Sequence, residues 1–194
     1  MFLLNPFVFS QSCGYALDPA KVKLLLHFDG NFNDSSPNNH AMTSGGNISI
    51  DATDTKFGSG KLRFGISPRD GYLRTTNTFF NFGENQPFTI CFWTKDGDGS
   101  GCYATTSPFE LNRSGIFAFH NEPPLYDGDS IKGYLDGVQK FGIGHPNWPS
   151  ENSLLQFGKN GSGYYSDGTL DEVLLYSEAL WTSDFTPPDA PFTY

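Results

Sequence analysis

Residues that turn or break the backbone occur along the whole chain, and they constrain its fold more than any other feature. The 194 residues include 22 Gly and 13 Pro, with many Asn, Asp and Ser between them. Gly supplies the left-handed conformations of tight turns, and Pro cannot continue a helix or a central strand. This leaves almost no room for long helices, so the sequence predicts short strands joined by loops.

Aromatic side chains supply much of the apolar material. The chain has 19 Phe and 9 Tyr, and aromatic residues make up 16% of it. Large flat side chains favour a core packed between sheets over a leucine-rich helical interface. The length suits a single sandwich or barrel. We therefore predict one all-β domain, a two-sheet antiparallel jelly-roll sandwich.

Short apolar segments bounded by turn residues mark the candidate strands. They are KVKLLLHFD (21–29), NISID (47–51), KLRFG (61–65), YLRTT (72–76), FTICFWTK (88–95), GIFAFH (115–120), SIKGYLDG (130–137), SLLQFG (153–158) and LDEVLLYS (170–177). Both faces of FTICFWTK carry apolar side chains, which predicts a central strand. The segment SEALWTSDF (177–185) predicts one helical turn capped by Ser177, and we expect an extended tail from Pro187 onward.

The charge of the chain argues against two classes of partner. The formal net charge is -9, from 12 basic and 21 acidic side chains, whereas nucleic-acid affinity comes from clustered Lys and Arg. An anionic membrane is disfavoured for the same reason, and no apolar run approaches the roughly 18 to 20 residues that cross a bilayer. We expect neither nucleic acid nor a membrane as a partner.

The first residues are apolar but irregular. Residues 1–10, MFLLNPFVFS, lack a basic start and contain Asn5 and Pro6 within the apolar run, so we predict mature sequence and not a signal peptide. Residues 1–23 are interpreted as an arm that anchors the protein to a neighbouring chain. Residues 24–194 are predicted to form the sandwich and its extended tail.

Cysteine usage favours a reducing place of assembly. The chain has three cysteines, Cys13, Cys91 and Cys102, which is an odd number in a domain too large to need disulfides. Reduced thiols are expected, although Cys91 and Cys102 could be neighbours across a hairpin.

The sequence contains no recognisable catalytic pattern. Retaining glucanases need two carboxyls about 5 Å apart, but the adjacent Asp171 and Glu172 should face opposite sides of a strand. None of the histidines lies in a nucleophile motif or a paired zinc motif: they are His27, His40, His120 and His145. We predict that the protein is not an enzyme.

The ordered motifs resemble a known superfamily. LLLHFDG and NFNDSS are followed by FGSGKLRF, FTICFWTK, YLDG, LQFG, GTLDEVLLYSEALW and FTPPDAPF. Over residues 21–194 this series resembles the laminin G-like and concanavalin A-like lectin and glucanase superfamily, in the version common in structural proteins of tailed bacteriophages. The resemblance implies a sandwich that binds glycans or proteins, often with one calcium ion. Residues 121–136 lack the Trp-His-His-type run of the family's middle strand, which weakens the case for glycan binding.

Two loops are candidates for calcium. The resemblance implies that Asp29, Asn31 or Asp34, after the first strand, lie near Asp171 and hold one structural calcium ion. The second candidate is DGDGSG at 96–101, which matches the opening of an EF-hand loop. In that loop the bidentate Glu of position twelve is replaced by Ser107, so a hairpin tip is the favoured interpretation.

Aromatic residues in two loops are candidates for a sugar platform. Trp148, Tyr164 and Tyr165 could stack on sugar faces. The favoured interpretation is that they close the open end of the sandwich.

The leading hypothesis for function is a non-enzymatic bacteriophage virion protein, acting as a capsid decoration, knob or tail-fibre component. It predicts a multi-copy protein that is assembled in the host cytoplasm and bound to other virion proteins through its arm, with a cell-surface glycan as a second partner. The alternative is a carbohydrate-binding module with calcium-assisted glycan recognition.

Overall fold

A computed structural model of the chain describes residues 16–65, 67–68, 70–75, 87–95, 102–103, 110–111, 115–122, 130–144, 155–158 and 167–194. These residues form antiparallel strands and no helix, so none of them supplies a helix long and apolar enough to cross a membrane. The strands are β1 (Val22–Leu26), β2 (Met42–Gly45), β3 (Ser49–Asp51), β4 (Lys61–Phe64), β5 (Tyr72–Thr75), β6 (Phe88–Lys95), β7 (Cys102–Tyr103), β8 (Glu110–Leu111), β9 (Gly115–Glu122), β10 (Ser130–Leu135), β11 (Val138–Gly144), β12 (Gln156–Phe157) and β13 (Gly168–Tyr176).

Two sheets build the sandwich, as the sequence predicts. The large sheet has the order β11-β10-β9-β6-β13-β4-β3, with β1 also paired to β13. The small sheet has the order β12-β5-β2, and β7 and β8 form a separate ribbon. The prediction of an all-β, two-sheet antiparallel sandwich is confirmed.

Strand β13 lies at the centre of the large sheet and is bulged. Its first residues pair with β4 and its last with β1, while β6 runs along its other side. The register to β6 shifts between Asp171 and Leu174, and Glu172 there has a φ of 50°. An extra residue at such a position is a β-bulge, which re-aims the side chains around it.

The core between the two sheets is aromatic and aliphatic. Leu62 and Phe64 of the large sheet and Leu73 and Phe157 of the small sheet are all buried in it. Burial of such a side chain contributes roughly 1.5 to 3 kcal/mol. Strand β6 adds Phe88 and Phe92 because its alternate side chains point to one face.

The C-terminal segment, residues 177–194, covers part of the outer face of the large sheet, and we call it the tail. Leu174 and Tyr176 on that face pack with Trp181 and Phe192 of the segment. Trp181 stacks on Phe185 with ring centroids 4.0 Å apart. This second cluster explains why both faces of β13 are apolar.

The predicted helical turn at 177–185 is wrong. The Thr89 hydroxyl donates to the Glu178 carbonyl at 2.7 Å and accepts from the Leu180 amide at 3.0 Å. The Phe185 amide donates to the Gly137 carbonyl at 2.8 Å. Because the backbone groups of the segment bond to the sheet, they do not close a helical turn.

Other strand boundaries differ in detail. The central position of β6 between β9 and β13 agrees with the prediction. Strands β2, β7, β8 and β11 were not predicted, and within the segment 153–158 the described residues 155–158 contain the two-residue strand β12. Residues Asp136 and Gly137 have φ of 52° and 77° and form the two-residue turn from β10 to β11.

Residues 16–23 belong to the packed domain, which differs from the predicted boundary between arm and sandwich. Ala16 forms a bridge with Thr193, and the Leu17 amide donates to the Thr193 carbonyl at 2.9 Å. Leu17 and Val22 are both buried in the cluster under the tail. Residues 1–15 of the predicted arm lie outside the described residues.

Cys91 is a free, buried thiol, and burial raises its pKa well above the usual value. Its cross-strand neighbours are Ala118 and Leu174 in the large sheet. Cys102 belongs to the separate ribbon of β7 and β8. The predicted option of a hairpin that joins Cys91 to Cys102 is therefore wrong.

Candidate functional site

The outer face of the large sheet carries a polar region beside the area covered by the tail. Leu62 and Leu170 pair across β4 and β13 and face the core. Residues one position away along each strand therefore face outward. In this outward set Asp171 pairs with Trp93, and Asp51 pairs with Lys61.

These side chains line a cleft of about 240 Å³. We call it the Trp93 cleft. Its lining includes Trp93 and Asp171 together with Asp54, Lys56, Lys61 and Lys95. It therefore combines one large aromatic ring with charges of both signs.

Trp93 provides the aromatic surface of the cleft. Phe57 packs edge-on against its ring, with centroids 5.8 Å apart and planes at 81°. The Lys56 ammonium lies 4.0 Å from its ring centroid, within the range of a cation–π interaction. The indole Nε1 is buried and donates no hydrogen bond to any residue that the structure describes.

Asp171 is the buried carboxylate of the cleft, with 3% of its surface exposed. Its Oδ2 accepts from the Lys56 amide at 2.9 Å and from the Phe57 amide at 3.3 Å. Its Oδ1 is buried and accepts no hydrogen bond within the described part of the chain. Desolvation by burial raises the pKa of Asp171 to about 6, against a usual value of 3.8.

Two carboxylates shape the loop that carries Lys56. Asp171 binds the amides at the start of KFGSG, and Asp29 accepts from the amides of Ser59 and Gly60 at its end. Gly58 between them has a φ of 56°, and a Cβ there would lie 2.1 Å from Asp29 Oδ1. The motif FGSGK thus has a structural role, which is to place Lys56 and Phe57 against Trp93.

Glu172, next to Asp171, binds a different part of the chain. Its Oε1 lies 2.8 Å from His27 Nδ1 and its Oε2 accepts from the Phe192 amide at 3.2 Å. The hydrogen bond to Glu172 raises the pKa of His27, against the opposing effect of burial. Glu172 is 1% exposed, so it joins β1, β13 and the tail from inside the domain.

The residues predicted for calcium are only partly brought together. Asp29 and Asp171 fasten opposite ends of the same loop. Asp34 fastens the loop after β1: its Oδ1 accepts from the Leu25 and Ser36 amides at 3.0 and 2.8 Å, and its Oδ2 accepts from the His40 amide at 2.8 Å.

The donor sets of these residues do not converge on one ion. Asp34 Oδ2 also accepts from the Ser36 hydroxyl at 2.8 Å, so its four lone-pair positions are occupied. Asn31 uses its side-chain oxygen for the Asn33 amide at 2.8 Å. Across the described residues there is no group of three or more His, Cys, Asp or Glu side chains that could hold a metal ion. A bound calcium ion stays a prediction.

The remaining sequence candidates lie outside the described residues. These are the segment DGDGSG at 96–101 with Ser107, and the aromatic residues Trp148, Tyr164 and Tyr165. Trp93 and Lys56 were not predicted as site residues. The alternation in FTICFWTK already put Trp93 on the face opposite Phe92, but only the fold shows that the tail leaves this position uncovered.

Comparisons with known proteins find solved structures with a similar fold. No protein-family model and no curated sequence matches the chain. Domain 4 of AbnA, an extracellular GH43 arabinanase from Geobacillus stearothermophilus solved with arabinotriose, is similar at a TM-score of 0.58 and 17% identity. That match covers 83% of this chain and 94% of the domain.

Botulinum neurotoxin binding domains are similar as well. The serotype D domain matches with a TM-score of 0.59 and 12% identity over 86% of this chain and 50% of its own. A structure of botulinum neurotoxin type C matches with a TM-score of 0.54 and 14% identity over 84% of this chain and 49% of its own. Cell entry of that neurotoxin depends on interaction with two ganglioside molecules. The chain thus spans about half of these neurotoxin domains. At such identities the matches show the sandwich fold.

Proposed function

We propose that the protein is a non-catalytic carbohydrate-binding module and that the Trp93 cleft is its sugar site. The observation that carries the proposal is an aromatic ring beside a buried donor, Trp93 Nε1, and a buried acceptor, Asp171 Oδ1, neither of which bonds to a described residue. An unpaired buried polar group costs about 1 to 3 kcal/mol. A sugar hydroxyl both donates and accepts, so it suits either atom.

The rest of the cleft suits the same ligand. The apolar face of a sugar ring stacks on an aromatic ring, and charged side chains of both signs bond to hydroxyls. The arabinotriose complex of the AbnA domain and the ganglioside dependence described for the type C neurotoxin support this function on a similar fold. This is the alternative that the sequence leaves open, although the calcium and loop aromatics expected there are not part of the proposed site.

Catalysis is not part of the proposal. Of the two carboxylates in the cleft, Asp54 forms an ion pair with Lys95, and Asp171 is fastened by two amides. A retaining hydrolase needs an acid and a free nucleophile that flank one glycosidic bond. A purified protein that cleaves an oligosaccharide would contradict this part of the proposal.

A glycan array followed by calorimetry on the strongest sugar tests the proposal. We expect Trp93→Ala to abolish binding, because it removes the stacking surface and the indole donor. Tyr194→Ala is the matched control, since Tyr194 is an aromatic residue that is 51% exposed and does not line the cleft. Binding that survives Trp93→Ala would exclude the cleft, and a wild-type protein that binds no glycan would exclude the function.

A second candidate function is the virion structural protein of the leading sequence hypothesis. The order of motifs from residue 21 to 194, similar to that in laminin G-like modules of tailed bacteriophages, is the observation that favours it. It proposes a multi-copy protein in the virion, held to other virion proteins by residues 1–15, the part of the predicted arm that lies outside the described residues. Mass spectrometry of purified particles tests it, and normal incorporation of a chain without residues 1–15 would contradict the anchor.

We also propose, on the basis of the family resemblance, that the protein binds calcium. This proposal is compatible with either function. Calorimetry with Ca²⁺ and a melting curve with and without the ion test it. The absence of both heat and a gain in Tm would contradict it.

A further inference from the structure

A second depression adjoins the Trp93 cleft on the same face. This depression has a volume of about 190 Å³ and is lined by Asp51, Arg63 and Asp167, among others. We call these three residues the Arg63 end. Both hollows are also lined by Asp54, Lys61, Lys95 and Thr169. Because they share these side chains, the two hollows adjoin one another, and we call them together the groove.

We propose that this groove binds a neutral oligosaccharide of two to three sugar units that runs across the strands from Trp93 to the Arg63 end. The proposal rests on the carbohydrate-binding function above and adds the length and charge class of the ligand.

The length follows from the positions of the lining strands. Trp93 lies on β6, Thr169 on β13, Arg63 on β4 and Asp51 on β3, and these strands are neighbours in that order. Three steps between adjacent strands span ~14 Å, the length of about two or three linked sugar rings. A single ring would fill only one of the two hollows.

We infer that the ligand is neutral because the cationic side chains of the groove already have partners within the protein. Lys95 is paired with Asp54, Arg63 lies 3.9 Å from Asp51, and the Lys61 ammonium donates to the Asp54 carbonyl at 2.8 Å. The Lys56 ammonium lies over the Trp93 ring, 4.0 Å from its centroid. An acidic sugar would therefore have to break one of these four contacts to recruit a cation. It would also meet Asp171 Oδ1, an acceptor that attracts a hydroxyl and repels a carboxylate or sulfate. The net charge of -9 adds repulsion of polyanions.

The two ends of the groove predict different effects of mutation. Trp93→Ala removes the stacking surface that every ligand uses, so it should abolish binding of all chain lengths. Arg63→Ala removes a donor that only a longer ligand reaches. It should therefore reduce the affinity for a trisaccharide to that for a disaccharide and leave shorter ligands unchanged.

The experiment is an array of linear arabino-, xylo-, cello- and manno-oligosaccharides of one to six units, with oligogalacturonides as the acidic series. Calorimetry on the best series then measures Kd for each length. We expect affinity to rise at least tenfold from the monosaccharide to the trisaccharide and to level off at the tetrasaccharide. Arg74→Ala is the matched control, because Arg74 lies over the Tyr72 ring on β5 of the small sheet. Melting curves of each variant verify folding.

The outcomes separate this proposal from the function beneath it. Binding with an affinity that does not depend on length overturns the groove and leaves the carbohydrate-binding function intact. Strongest binding to oligogalacturonides overturns the neutral character alone. No binding to any sugar on the array overturns both proposals.

Discussion

At the scale of single residues, the cleft depends on a backbone position that the sequence marks only with a glycine. Gly58 lets the chain turn between the amides that Asp171 binds and those that Asp29 binds. The sequence assigns both carboxylates to calcium, but in the structure they accept from backbone amides of one loop. A carboxylate in a loop serves an ion or an amide equally well, and only the three-dimensional neighbours distinguish the two uses.

We predict that Gly58→Ala destabilises the protein more than Gly30→Ala does. Both glycines have positive φ, 56° and 81°, but a Cβ at Gly58 would meet Asp29 whereas a Cβ at Gly30 meets nothing within 4 Å. Gly30→Ala should cost only the left-handed penalty of about 1 to 2 kcal/mol. Gly58→Ala should add roughly 1 to 3 kcal/mol for the overlap. Urea unfolding of the two variants measures the difference, and equal losses would show that Asp29 moves away freely.

At the scale of elements, the sequence predicts the strands that alternate cleanly and misses those that do not. Strand β6 has the predicted bounds because FTICFWTK is continuous and ends at turn residues. Strand β11, with the sequence VQKFGIG, has two glycines and no clear alternation, so it was missed. The tail at 177–185 has a capping serine, yet its hydrogen bonds depend on Thr89, which is nearly ninety positions earlier in the chain.

We predict that Thr89→Val loosens the tail from the large sheet. Valine keeps the shape of threonine but removes the hydroxyl, so the Glu178 carbonyl and the Leu180 amide both lose their partner. The free energy of unfolding should fall by about 1 to 3 kcal/mol. Thr43→Val is the control, because Thr43 is exposed on β2. Urea unfolding and hydrogen exchange of residues 177–185 provide the measurement, and unchanged exchange would contradict a role for Thr89 in fastening the tail.

At the scale of the whole molecule, the tail decides which part of the large sheet remains open. It covers the face over β1, the last residues of β13, β6 at Cys91 and β10 at Tyr134, and Trp93 is not in the cluster beneath it. Glu172 at the bulge holds His27 of the region after β1 and the Phe192 amide of the tail. The fold class was predictable because turn residues and aromatic strands fix it locally. The site was not, because it depends on which area the last 18 residues leave uncovered.

Two ionisable groups at and beside the bulge, Asp171 and His27, predict how the whole domain responds to pH. The pKa of His27 is raised above 6.5, so its contribution to stability is complete below pH 6.5 and is lost as pH rises through the raised value. The pKa of Asp171 is raised from 3.8 to about 6. The folded state therefore binds more protons than the unfolded state between those values, and stability falls as pH rises across that window too.

Both groups thus act in the same direction, and we predict that Tm falls as pH rises from 3.8 to values above 6.5. Asp171→Asn should remove the part of the slope below about pH 6, and His27→Gln the part above pH 6.5. Thermal unfolding at half-unit steps of pH separates the two contributions, with Tyr194→Ala as a variant that keeps the full slope. A Tm that rises with pH across this range would mean that the two groups do not govern the stability of the domain. If both variants keep the full pH dependence of Tm, other ionisable groups cause it.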